Sequence, residues 1–256
     1  MMKGISTLSI VPVRKEPSDR SEMVTQLLFG ETFTITATEK SWSNITIDYD
    51  GYSGWIDTKQ ATIFEEEEFK KLSDTPPTVA LDLLQLAISG KEIITVVLGS
   101  SLPFYYGKKF FINGKEYLYE GNVKTITQPE ISKVPEHASM FLNAPYLWGG
   151  RSPFGLDCSG FTQVVFKMSG IKLLRDAAQQ AGQGKRIAAI EDTQEGDLAF
   201  FKNDDKKIVH VGIVLNNRHI IHSSGKVRID TIDEQGIFNS ETGKHSHALA
   251  EFRRVR

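Results

Sequence analysis

Short runs of alternating apolar and polar residues, broken by turn clusters, fill the first quarter of the chain. Leu8 to Val13, Thr32 to Ala37, Ser43 to Asp48 and Gly54 to Ile56 carry the period of two that gives a strand one buried face. Glu16-Pro17-Ser18-Asp19-Arg20 and Asp48-Tyr49-Asp50-Gly51 fall between them as turns. The pattern predicts a small β-barrel over residues 1–64. Glu65 to Glu68 lead into Phe69, Lys70 and Lys71, which reads as the solvated face of a helix or linker. Thr75-Pro76-Pro77-Thr78 stops any helix there, and Val79 to Ile88 has helical apolar spacing. Ile93 to Val97 and Lys109 to Tyr119 read as strands, the latter folded back at Asn113-Gly114. Residues 65–130 are therefore expected to be a linker helix followed by a second, degenerate barrel. Pro135 to Leu142 opens the last segment, residues 131–256. In it Phe161, Val164, Val165 and Met168 form one apolar helix face that Gly170 ends, and Asp157 stands where a cap belongs. Downstream, the runs beginning at His210 and at His219 read as paired strands joined near Asn216-Asn217.

Composition narrows the classes of function. Thirty basic residues against 32 acidic ones leave a net charge of −2, with no basic footprint for nucleic acid and no polybasic membrane patch. At 256 residues the chain exceeds the usual size of a single core, which agrees with several compact pieces. One cysteine rules out an intramolecular disulfide, so packing alone stabilises the fold. No stretch approaches a membrane span. Met1-Met2-Lys3-Gly4-Ile5-Ser6 runs into strand-like sequence without the apolar core of an export signal, so a cytoplasmic location is expected, or a periplasmic or extracellular one if a signal has been removed.

That single cysteine carries the candidate chemistry. Cys158 stands at the first position of the predicted helix, where the positive end of the dipole favours a thiolate by a few tenths to about 1 kcal/mol. This is too little for a nucleophile, so an imidazole must supply the rest. Strand parity selects among the six histidines. His210 and His222 share a face only if an odd number of residues connects their strands, and a three-residue loop at Asn216 to Arg218 is expected; His219 then points away. His210 is read as the base and His222 as the group that orients its ring. The Cys158 backbone N–H is a candidate donor to the oxyanion. His137, His245 and His247 have no partner-like spacing and are read as solvated. One Cys and two His without close pairing make a poor zinc site, so neither a metal nor a cofactor is expected. Asp157 stands open between helix cap and substrate contact, Tyr146 and Trp148 between loop packing and cleft wall, and Trp55 is read as core.

The motifs also carry family resemblances. Phe29-Gly30-Glu31 before a strand, then Asp50-Gly51-Tyr52-Ser53-Gly54-Trp55, resembles bacterial SH3-like modules. Ala144-Pro145-Tyr146-Leu147-Trp148-Gly149-Gly150, Leu156-Asp157-Cys158-Ser159-Gly160, Glu195 to Phe201, His210-Val211-Gly212-Ile213 and Ile221-His222-Ser223-Ser224 together resemble the NlpC family of bacterial cell-wall cysteine peptidases. The match runs over roughly residues 135–256. The resemblance implies an α+β papain-like cysteine peptidase domain preceded by one or two small all-β SH3-like barrels, with Cys158, His210 and His222 as triad. The whole architecture is similar to that of the γ-D-glutamyl-L-diamino acid endopeptidases. This implies cleavage of peptidoglycan stem peptides, a preference for short peptides with a free N-terminal L-Ala, and a place in murein peptide recycling. By the same resemblance Tyr146, Asp157 and Ser159 hold that terminus, together with groups of the first SH3-like domain. Glu22, Glu31 and Tyr52 are on offer there, and Glu22 with Tyr52 best suits an ammonium ion. The chain departs from the family pattern at Arg175-Asp176-Ala177-Ala178, where a serine is common. Two other classes of function stay open: an inactive wall-binding module, and a thiol amidase or acyltransferase of the same fold.

Overall fold

The computed structural model describes residues 2–256. They divide into two compact units, one running to Gln128 and including Arg151–Pro153, the other comprising Pro129–Gly150 and Phe154–Arg256.

The first unit begins with strands β1 (Met2–Ile5), β2 (Ile10–Arg14), β3 (Met23–Leu28), β4 (Thr32–Glu39), β5 (Trp42–Ile47), β6 (Ser53–Asp57) and β7 (Thr62–Ile63). They form one sheet in the order β3-β2-β6-β5-β4-β1-β7. Alternation places Val11, Val13, Leu27, Phe33, Ile45, Ile47 and Ile56 in a common core. Because Ile56 takes the inward position, its neighbour Trp55 lies on the other side and is only half-buried, not core as expected.

Helix α1 (Glu66–Ser73) carries the acidic run in its first turn and lysines in its last, which suits the helix dipole. Next come β8 (Thr78–Ala80), β9 (Leu84–Ser89), β10 (Glu92–Val97), β11 (Lys109–Ile112), β12 (Lys115–Tyr119) and β13 (Val123–Thr125). The first two of these strands correct the helical reading of Val79 to Ile88. Leu84, Ala87 and Ile88 fit a helical face, yet β9 exchanges backbone hydrogen bonds with both β10 and β12, and β8 with β13. Long-range pairing decides such a short apolar run, which local spacing leaves ambiguous. Asn113 and Gly114 turn the predicted hairpin with φ of 49° and 71°, the left-handed values of a type I′ turn. Ala87, Phe110, Tyr117 and Tyr119 join Ile5, Phe29 and Phe64 in a second core of this unit. Strand β14 (Arg151–Ser152) also belongs here. The Arg151 guanidinium is fully buried and donates two hydrogen bonds to Glu31, at 2.7 and 2.9 Å.

The second unit holds α2 (Val134–Ser139), β15 (Gly155–Leu156), α3 (Cys158–Met168), α4 (Ala177–Gln180), β16 (Lys185–Ile187), β17 (Leu198–Lys202), β18 (Ile208–Asn216), β19 (His219–Ser224), β20 (Lys226–Ile232), β21 (Gly236–Asn239) and β22 (Lys244–Arg254). The sheet order is β16-β22-β17-β18-β19-β20-β21, and β22 also pairs with β21, so β17 to β22 close into a ring. Such closure leaves no open edge among the six. Phe201, Val214, Ile220, Ile237 and Phe252 fill its core. Every residue of α3 is buried, and the helix packs on β18, β19 and α2.

The β18–β19 hairpin meets the parity requirement by another route than the expected three-residue loop. Its turn is Asn217-Arg218 alone, and a bulge at Leu215, between the pairs Val214↔Ile220 and Asn216↔His219, supplies the extra residue. Gly212 consequently opposes His222, and His210, two residues from Gly212, shares that face.

Candidate active site

The α3 terminus is built around Asp157. Its carboxylate caps the helix by accepting from the Gly160 N–H at 2.7 Å, and accepts from the Gly149 N–H at 2.8 Å. Arg175, almost fully buried, grips both oxygens at 3.0 and 2.6 Å. Ser159 Oγ donates to Asp157 at 3.3 Å and accepts from Arg175 at 3.0 Å. The lone pairs of Asp157 are therefore engaged by the protein itself, which favours the cap over an open substrate contact. Sequence reasoning saw Arg175 only as part of a motif; its pairing with Asp157 crosses 18 residues and has no local signature.

Cys158 opens the helix and is buried. Burial, with the Asp157 charge second, pushes its thiol up to about 11, against the pull of the Val211 and Ser159 backbone N–H groups and Arg175. Burial also pushes His210 well below the ordinary histidine value, reinforced by His247 and His222. These directions run against the pull of the helix dipole on the thiol. Both directions favour the neutral forms of thiol and imidazole, because desolvation of either charge opposes a helix-end effect of about 1 kcal/mol.

The imidazoles form a directed relay. His210 Nε2 lies 2.9 Å from His222 Nδ1, and His222 Nε2 lies 3.1 Å from Asp230 Oδ2. Burial raises the Asp230 carboxyl, but hydrogen bonds from His222 and Arg228 outweigh it and hold Asp230 below its ordinary value. An ionised carboxylate only accepts, so His222 Nε2 carries the proton and its Nδ1 accepts from His210 Nε2–H. His210 Nδ1 is thereby left with a lone pair. Asp230 was not among the sequence candidates; it comes from β20, where Ile220↔Asp230 and His222↔Arg228 are register pairs. Arg228 fixes it with contacts of 2.8 and 3.0 Å.

Two other histidines depart from the solvated reading. His137 is buried, with Nδ1 2.9 Å from Ser169 Oγ. His247 lies parallel to the His210 ring, with centroids 4.1 Å apart and planes 25° apart. His245 pairs with Asp233, and His219 is exposed beside Asn216. Tyr146, His210, Ser223 and His247 line a cavity of about 330 Å³. Trp148 is exposed. Of the candidates in the first unit, Glu22 is exposed and pairs with Lys15 at 3.6 Å, Tyr52 packs on the β2–β6 core, and Glu31 is taken up by Arg151.

A helix-borne cysteine packed on an antiparallel sheet that carries its histidines defines a papain-like cysteine peptidase. Residues 143–245 match the NlpC/P60 family, and residues 13–60 match the bacterial dipeptidyl-peptidase SH3 domain. The chain is 31% identical over 228 residues to the γ-D-glutamyl-L-lysine dipeptidyl-peptidase of Bacillus subtilis, covering 82% of this chain and 76% of that one. It is 26% identical to dipeptidyl-peptidase 6 of Lysinibacillus sphaericus, over 91% and 93% of the two chains. The crystal structure of an NlpC/P60 family protein from Bacillus cereus superposes with a TM-score of 0.83 over 98% and 99% of the chains, at 21% identity. The chain thus belongs to the NlpC/P60 family and is a cysteine peptidase with a bacterial SH3-like region.

Proposed function

We propose that this peptidase hydrolyses the γ-D-glutamyl–L-diamino acid bond of peptidoglycan stem peptides. The observation that carries the chemistry is the line His210–His222–Asp230, which leaves an unprotonated His210 Nδ1 on the residue next to Val211, whose backbone N–H reaches the Cys158 sulfur. His210 takes the thiol proton as Sγ attacks the γ-carbonyl carbon. The Cys158 N–H, at a helix position without an intrahelical acceptor, is available to the oxyanion. The His210 imidazolium then protonates the leaving amine, and water assisted by His210 hydrolyses the thioester. Two relatives named γ-D-glutamyl-L-lysine dipeptidyl-peptidase, from Bacillus subtilis and Bacillus cereus, support this bond as the one cleaved.

A preference for short peptides with a free N-terminal L-alanine, and with it a role in peptide recycling, belongs to the same proposal. Of Tyr146, Asp157 and Ser159, only Tyr146 lines the cavity, which supports it as the contact of this unit to that end of a substrate. The deciding experiment is mass spectrometry of products from L-Ala-γ-D-Glu-diaminopimelate and its lysine counterpart, each free and N-acetylated, with wild type and Cys158→Ala. L-Ala-D-Glu released by the wild type alone supports the bond and the nucleophile. Equal cleavage of the acetylated peptides sinks the amino-terminal preference while keeping the peptidase. Cleavage of none of them overturns the substrate class.

A further inference from the structure

His247 stands outside the relay and has no assigned role. It lies on β22, more than 30 residues along the chain from His210. Its place on the histidine face follows from register. Leu249 opposes Phe201 across β22–β17, Phe201 opposes His210 across β17–β18, and His247 precedes Leu249 by two residues. The His210 ring is thereby held on two sides. His247 stacks against it at 4.1 Å, and His222 meets it nearly perpendicularly, with centroids 5.1 Å apart and planes at 88°. His247 Nδ1 lies 2.8 Å from Ser246 Oγ. His247 lines both the cavity containing Tyr146 and a second one of about 500 Å³ that Lys202, Asp204, Gln235 and His245 also line.

From this geometry we propose that His247 is a positioning residue: its ring covers one face of His210, blocks rotation of that imidazole, and keeps Nδ1 aimed while Nε2 bonds His222. Rotation of His210 about its ring axis would break the stack and the hydrogen bond together. With either restraint alone, the ring retains an alternative orientation in which Nδ1 and Nε2 leave these positions. Burial, and then the nearby His222, push His247 down to about 4, with Asp230 opposing, so the stacked partner is neutral near pH 7 and puts no cation against the base. A misplaced catalytic group of this kind costs on the order of 10- to 100-fold in rate. A stacking partner acts through its flat ring and not through its proton, so an aromatic hydrocarbon should replace it.

The proposal rests on His210 being the base, and the test separates the two. Steady-state hydrolysis of the stem peptide and the rate of Cys158 alkylation by iodoacetamide are measured for wild type, His210→Ala, His247→Ala and His247→Phe, with melting temperatures. The expected result is a fall in kcat of about tenfold or more for His247→Ala at nearly constant KM, with most of it recovered in His247→Phe. Three results would overturn the proposal: unchanged kcat in His247→Ala, an effect confined to KM, or equal losses in the Ala and Phe variants. If His210→Ala leaves both hydrolysis and alkylation unchanged, the reading of the base itself fails. If only the His247 variants are silent, the base stands and the positioning role falls.

Discussion

At the scale of single residues, the site works by restricting what each side chain can do. Asp230 forces the proton of His222 onto Nε2, and that choice fixes the tautomer of His210 one step further on. Asp230→Asn can donate as well as accept, so the relay loses its direction. We expect kcat to fall by about 10²-fold or more with KM little changed, measured on the same stem peptide. Gly212 restricts by its absence of a side chain. A Cβ there would come within 2.9 Å of His222 Cβ and 2.7 Å of Ile220 Cδ1, so Gly212→Ala must shift the strand that carries His222. Reduced kcat with a melting temperature lowered by only a few degrees is the expected outcome. The thiol gives a third test. Because burial pushes Cys158 to about 11 and His210 downward, its alkylation by iodoacetamide should climb through pH 9. A plateau near pH 7 would instead report a resting ion pair.

At the scale of elements, two buried ion pairs hold segments that periodicity cannot hold. Arg175 joins the segment before α4 to the cap of α3, and Arg151 joins β14 to Glu31 beside β4. Breaking such a pair leaves a desolvated charge behind, and we expect Glu31→Ala to destabilise the protein by about 3–5 kcal/mol in denaturant melts. A loss below about 1 kcal/mol would mean that water reaches Arg151. Exchanging both partners for apolar residues should cost much less than the single change. The β18–β19 hairpin illustrates how far local sequence reaches. Parity required an odd number of residues between the two histidine strands, and any odd arrangement satisfies it. A turn of two plus a bulge at Leu215 and a turn of three are equivalent to that argument, and strand twist and core packing chose the bulge.

At the scale of the molecule, the buried imidazoles tie stability to pH. His210 and His247 are shifted downward, so the folded state binds fewer protons than the unfolded chain in acid. Around His247 stand His210, His222 and Asp230, with Lys202, Asp204 and His245 lining the second cavity, and Asp230 favours its protonation. The stabilisation is present in full above about pH 6.5 and is lost as pH falls toward about 4. The melting temperature should therefore decline across that window, and His247→Phe should flatten the decline. A profile in His247→Phe identical to wild type would assign the acid sensitivity to other groups.

What the sequence by itself determined is local in origin. Period-two runs placed β2, β4, β5 and β6 of the first sheet, Asn113-Gly114 placed a hairpin, and Asp157 before an apolar helical face placed the cysteine on a helix terminus. Parity set the condition under which His210 and His222 share a face, and motifs carried the family resemblance. Each of these rests on residues close together in the chain, where backbone geometry leaves few choices. The tertiary structure alone decided the partners that arrive from a distance: Asp230 behind His222, His247 over His210, Arg175 on Asp157, and the strands in place of a helix at Val79 to Ile88. It also decided how deeply the thiol is buried. A thiol at a helix N-terminus reads as activated until its burial is known, and burial depends on every element that closes over it.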